Sequence, residues 1–257
     1  MRLMVCVLAL VVSLPSAAYA EATRIKVSVL SKGAKFIGSS LGGARIILRD
    51  AENGEVLAEG ITEGTTGDTA KIMMDDHEPY EALSSADSAH FTVTLDLKRP
   101  RLIEFEAYGP LSQRQAANRA TMTQWVVPGK HIDEGDGMVL VIAGMAVDIL
   151  NPAAHRRLEL GDSTTKQVSI VANVTMMCGC PIFTDGLWPP EEFEVKAVVS
   201  YQGKVLATRT MGVKEIPSQF ETTLSLSDKG WYDVVVYAYQ PKTGNSGLDR
   251  SSFAITR

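Results

Sequence analysis

Cysteine, charge of one sign and long apolar runs are all scarce in this 257-residue chain, and each shortage closes off a class of protein. Cys6, Cys178 and Cys180 are the only cysteines, too few for the disulfide framework that replaces a core in small secreted scaffolds. Lys and Arg number 25 against 30 for Asp and Glu, a net charge of −5. No polycationic surface is therefore available to neutralise phosphates, and nucleic acid is not expected as a partner. Conventional catalytic signatures are missing too: no Gly-x-Ser-x-Gly elbow, no Gly-Lys-Ser/Thr phosphate loop, no His-Glu-x-x-His and no dinucleotide fingerprint. Carboxylate pairs such as Asp75-Asp76 and Glu191-Glu192 fall in loops and read as solvated charge. The chain is therefore read as non-enzymatic.

What is present begins with an address. Residues 1–20 place Arg2 before an apolar stretch at 3–14 and end on Ala18, Tyr19 and Ala20, the layout of a secretory signal peptide cleaved after Ala20. The stretch is about 12 residues, short of the ~20 that span a bilayer as a helix, so no transmembrane anchor is expected in the mature chain. Cleavage removes Arg2 and Cys6, leaving 24 basic and 30 acidic residues, a net charge of −6. A periplasmic or secreted product follows, and with a eukaryotic host Asn173-Val174-Thr175 would form a glycosylation sequon.

Hydrophobic residues at 45% and charged residues at 21% suit a globular core. Beyond residue 20 the apolar positions alternate in short runs between turn residues, which predicts an all-β chain of two consecutive β-sandwich domains. Strands are expected at 25–30, 44–49, 55–59, 91–97, 102–108, 122–127 and 139–142, with Asn53-Gly54 and Pro128-Gly129 as turns and a short helix at 112–120. Pro152 and the basic residues around it suggest a joint. The boundaries are thus 21–150 for the first domain, 151–164 for a linker and 165–257 for the second. Strands in the second are expected at 168–176, 193–201, 205–211, 220–226, 231–239 and 252–255.

Two segments carry family resemblances. The strand, acidic Asn53-Gly54 turn, strand and Gly-rich return across 43–69 resemble the repeating unit of transthyretin-like and carboxypeptidase-regulatory β-sandwiches. Asp228-Lys229-Gly230-Trp231-Tyr232, leading into Val234, Val236 and Ala238, resembles the corner of immunoglobulin-like sandwiches, with Val234 where antibody domains place a cysteine. That resemblance implies a fold and a binding or spacer role, with a protein partner, and no activity.

The sharpest chemical feature is Met176-Met177-Cys178-Gly179-Cys180-Pro181. Strand periodicity would place Met176, Cys178 and Cys180 on one face, a soft donor set suited to Cu(I), or to Zn(II) with further ligands. An extended strand would hold the cysteines ~6.6–6.8 Å apart, too far to bond. Gly179 could fold the backbone through a positive φ and bring them together. Three readings stay open: a copper-type metal site, a reversible or structural disulfide, and two thiols packed as small hydrophobes. Met73-Met74-Asp75-Asp76-His77 offers a weaker donor group, read as a strand end running into an acidic loop, while His90, His131 and His155 lack ligand spacing. Trp188, in the loop after the sulfur motif, is a candidate binding surface, a lid over the cysteines or a packing residue.

Overall fold

A computed structural model describes residues 19–257, so the expected export signal, apart from Tyr19 and Ala20, lies outside the described residues. Among the described residues the fold is all-β, with one short α-helix, two single-turn 3-10 segments and four sheets that form two sandwiches.

In the first sandwich, β1 (Glu21–Ser31) buries Thr23, Ile25, Val27, Val29 and Ser31 on one face while Arg24 faces water, the alternation of a half-buried strand. It is followed by β2 (Arg45–Asp50), β3 (Val56–Ile61), α1 (Thr69–Met73), β4 (His90–Leu97), β5 (Arg101–Gly109), β6 (Asn118–Val126) and β7 (Met138–Ile142). β1 is central in the order β4-β1-β7, antiparallel to β4 and parallel to β7, and the facing sheet runs β3-β2-β5-β6. The expected Asn53-Gly54 turn joins β2 to β3: Gly54 has φ +77° and donates its N–H to Asp50 O at 2.8 Å. Asp50 is buried beside it, accepting from Glu52 N–H at 2.9 Å and paired with Arg101 at 3.3 Å.

Two local expectations fail here. Residues 112–120 form turns and the start of β6, because 118–126 pair residue by residue with β5, and a sheet partner outweighs the modest helix propensity of Gln, Arg and Ala. The Met73-Met74 region is the end of α1, whose first turn is capped by the Asp68 carboxylate accepting from Lys71 N–H at 2.8 Å.

The second sandwich holds β8 (Met145–Asn151), β9 (Arg156–Glu159), β10 (Lys166–Met176), β11 (Glu194–Tyr201), β12 (Lys204–Thr210), β13 (Gly212–Val213), β14 (Gln219–Leu226), β15 (Gly230–Gln240) and β16 (Asn245–Thr256). Its sheets are ordered β13-β14-β10-β8 and β12-β11-β15-β16-β9. With β8, β10, β11, β13, β14, β15 and β16 lettered A to G, that is the A-B-E-D sheet facing C-F-G of an immunoglobulin-like sandwich. Its corner is in place: Tyr232 is fully buried, stacks on Phe253 at 5.3 Å and donates its hydroxyl to Asp228 O at 2.7 Å.

The segment expected as a linker, 151–164, carries β9, which pairs in parallel with β16, while β8 before it pairs with β10. Pro152, lacking an N–H, ends the β8 ladder and lets the strand cross from one sheet to the other. The passage between the sandwiches is instead Ala143-Gly144, the two residues between β7 and β8. The outer edge of β8 is covered by side chains: Gln115 Nε2 donates to Val147 O at 2.9 Å, and Asp249 accepts from Ile149 N–H at 2.8 Å.

Two predictions follow from these contacts. Tyr232→Phe removes the corner hydrogen bond and should cost about 1 kcal/mol, a fall of roughly 2–4 °C in the unfolding midpoint measured by calorimetry. Burial, with the neighbouring charge of Asp249, raises the Asp148 carboxyl above its ordinary 3.8. The neutral form therefore favours the fold, an advantage complete below the unfolded value and lost as pH rises through the folded one. Asp148→Asn should accordingly raise the midpoint at pH 7 and leave it unchanged near pH 3; a gain of equal size at both pH values would contradict this account.

Candidate functional site

β10 delivers the sulfur motif. Its alternation buries Val168, Ile170, Ala172, Val174 and Met176, and the strand then ends instead of extending. Gly179 N–H donates to Met176 O at 2.8 Å, Met176 N–H donates to Cys180 O at 3.1 Å, and Thr175 bridges Pro181 antiparallel. The result is a tight hairpin with a three-residue loop whose last residue, Gly179, has φ +79°, the left-handed position that such loops give to glycine. The return arm is pinned by Ser218, whose hydroxyl accepts from Ile182 N–H at 3.0 Å and whose carbonyl accepts from Val174 N–H at 2.7 Å.

Folding at Gly179 brings the cysteines together. Cys178 and Cys180 have Cα atoms 5.4 Å apart and their sulfurs at bonding distance, within the Cα range of protein disulfides. Met176, Cys178 and Cys180 therefore do not line one face of an extended strand, since the chain reverses between the first and the last. All three belong to the core of the second sandwich, with Cys178 2% and Cys180 7% exposed. Met177, between them in sequence, is fully buried in the core of the first sandwich.

The hairpin is thus wedged between the two domains. A side chain at Gly179 would meet Leu41 of the first sandwich at 3.1 Å. Trp188 is 6% exposed and packs in the same core as Cys178 and Cys180, donating its indole N–H across the junction to Gly33 O at 3.1 Å. It acts as a packing residue of that core, fastened to the first sandwich by this bond. Asn245, also buried, bridges the domains by donating to Lys32 O at 2.8 Å and accepting from Gly144 N–H at 3.2 Å.

The other candidates are dispersed. Asp75, Asp76 and His77 are exposed in the loop after α1. His131 Nδ1 accepts from Arg24 N–H at 3.1 Å, His90 Nδ1 lies 2.8 Å from Ser88 O, and His155 meets Trp231 edge-on at 5.8 Å. Among the described residues no group of three or more His, Cys, Asp or Glu side chains is arranged to hold a metal ion. Sequence reasoning missed Leu41, Gly33 and Asn245, which complete the site from distant parts of the chain and carry no local signal.

Gly179→Ala tests the hairpin: a Cβ at φ +79° that also presses on Leu41 should cost about 1–2 kcal/mol, read as a lowered midpoint in urea. An unchanged midpoint would show that the turn is not held as described.

No family model matches the chain, and no curated protein matches it. Twenty-four chains among the solved structures do. One is an engineered protein, 14% identical over 51% of this chain, which spans only 24% of that protein's length, at a TM-score of 0.33. Fibronectin(III)-like modules of CbhA from Clostridium thermocellum are 13% identical, covering 91% of this chain and 94% of theirs, with a TM-score of 0.29. The chicken interferon gamma receptor alpha chain is 7% identical over 93% of this chain and all of its own (100%), also at 0.29. At TM-scores this low none of these likenesses bears on function. The assignment rests on strand order and on the Tyr232 corner: this is an all-β protein whose C-terminal half is an immunoglobulin-like sandwich.

Proposed function

We propose that this chain is an exported, non-catalytic binding protein in which two β-sandwiches act as one unit, clamped by a disulfide-closed hairpin at 176–180. A single observation carries the reading: successive residues of the hairpin belong to different domains, Met177 to the first core and Met176, Cys178 and Cys180 to the second. A sandwich fold of this class suits a binding or spacer role. A disulfide at the junction suits an oxidising compartment, in accord with the export signal expected at 1–20. The copper reading, with Met176, Cys178 and Cys180 as ligands, needs both thiols free and a route to buried sulfur, and the bonded, covered pair favours the clamp over it.

The ring closed by Cys178 and Cys180 is small, so chain entropy alone assigns the bond about 1–2 kcal/mol. Its larger effect is local, holding the hairpin in the shape that both cores require. Native mass spectrometry of protein taken from its own compartment, without reductant or chelator, should give a metal-free species two hydrogens lighter than the dithiol. Calorimetry of the oxidised protein should show one cooperative transition, and Cys178→Ala with Cys180→Ala should lower it by several degrees and broaden or split it. A copper adduct with both thiols engaged would overturn the clamp, as would two separate transitions in the oxidised wild type.

A further inference from the structure

The clamp creates something neither sandwich has alone, a cleft of about 480 Å³ at the junction. One wall is the outer face of the β15–β16 ladder. Ala238 points into the core, so Tyr237 and Tyr239 on either side of it point out, next to their cross-strand partners Leu248 and Ser246. Tyr239 is 37% and Leu248 40% exposed, an aromatic and aliphatic surface left open to water. The opposite wall comes from the first sandwich, where Gln115 in the turn before β6 and Asn118 at the start of β6 present side-chain amides. Both amides are held in place: Gln115 Nε2 by Val147 O at 2.9 Å and Gln113 Oε1 at 2.7 Å, and Asn118 Nδ2 by Ala143 O at 3.0 Å.

Two properties of this cleft select its occupant. Although the chain is acidic overall, none of the lining side chains carries a charge, and the charged neighbours of Tyr237 and Tyr239 across the ladder, Lys196 and Glu194, are paired with each other at 3.2 Å, so an ionic ligand would lose its hydration there without gaining a free partner. What the walls offer is flat aromatic surface facing fixed amides: both Gln115 N–H groups are already bonded, leaving its Oε1 to accept, and Asn118 Nδ2 keeps one N–H to donate, a set complementary to a ligand with apolar C–H faces and a rim of hydroxyls. Size and position agree, since pockets of this volume gather at domain junctions.

We propose that the cleft between Tyr237, Tyr239 and Leu248 on one side and Gln115 and Asn118 on the other binds a neutral oligosaccharide by stacking sugar rings on the two tyrosines. This deepens the binding-protein reading and rests on it, because the two walls belong to different sandwiches and their separation is set by the clamp.

The test titrates the full-length oxidised protein by calorimetry with a fixed panel of hexasaccharides: cello-, malto-, xylo- and chito-oligosaccharides as neutral probes and oligogalacturonate as the charged one. At least one neutral hexamer should bind, with an affinity that changes little between roughly 50 and 500 mM salt. Tyr237→Ala and Tyr239→Ala should each weaken it about tenfold, whereas Tyr239→Phe, which keeps the ring, should bind much as the wild type does. Binding of no neutral hexamer, binding indifferent to both alanine variants, or binding of oligogalacturonate alone with steep salt dependence would each overturn the proposal. So would displacement of a bound neutral hexamer by extended peptides with tighter affinity. Unfolding the same samples separates the two readings: a single transition without sugar binding rejects the cleft and leaves the clamp, while two transitions in the oxidised wild type reject the clamp itself.

Discussion

Hydrophobic burial divided between two cores at one short turn is the constraint on which the arrangement of this molecule depends. Most two-domain chains keep their cores separate and join them through a polar segment. Here the peptide bonds flanking Met177 connect residues buried in different domains, so neither core is complete unless the other is in place. Large side chains removed from a core cost about 2–5 kcal/mol each, and exposing Met177 by parting the domains would forfeit burial of that kind. The hydrogen bonds of Trp188 and Asn245 across the junction orient the contact, while the apolar surface around Met177 and Leu41 supplies its strength.

Around that junction, the sheets dispose of their exposed edges in different ways. β8 has its free edge occupied by Gln115 and Asp249, one from each domain. β12 stays open to solvent, and the register shift opposite Val199 and Ser200 leaves Leu206 as an extra residue. Such a bulge twists an edge away from simple pairing with another chain. The carboxylates of Asp148 and Asp249 show the cost of covering an edge with charge: the group that satisfies Ile149 N–H also makes it harder for its neighbour to ionise.

Much of this fold was legible in the sequence because its signal is local. Alternating burial in β1, β10 and β15 is written directly into the order of residues, and the Tyr232 corner was visible from Asp228-Lys229-Gly230-Trp231-Tyr232. The domain boundary was not, because the conspicuous Pro152 marks a strand changing sheets, whereas the true passage at Ala143-Gly144 is hidden inside an apolar run from Met138 to Val147. Segment 112–120 misled for a related reason: its propensity is helical, but its partner β5 lies in another part of the chain. At the sulfur motif Gly179 announced the reversal that brings the cysteines together. The burial of the hairpin between domains depends on Leu41 and Gly33, more than a hundred residues away, and no period or spacing within 176–181 encodes it. The cleft was not read from the sequence: Tyr237 and Tyr239 fall in the strand expected at 231–239, but the amide wall that makes a cleft of them comes from the other domain.

The two-residue passage at Ala143-Gly144 also sets how the molecule responds to force. A flexible tether between domains stores slack, so a pull on one end first straightens the tether and leaves the folded parts undisturbed. This chain has no such slack: β7 runs into β8 almost at once, and Gly144 is itself fastened to Asn245. A load applied to one sandwich passes directly to the other as a rotation of the whole body. The junction, not the chain between the domains, is the element that would have to yield.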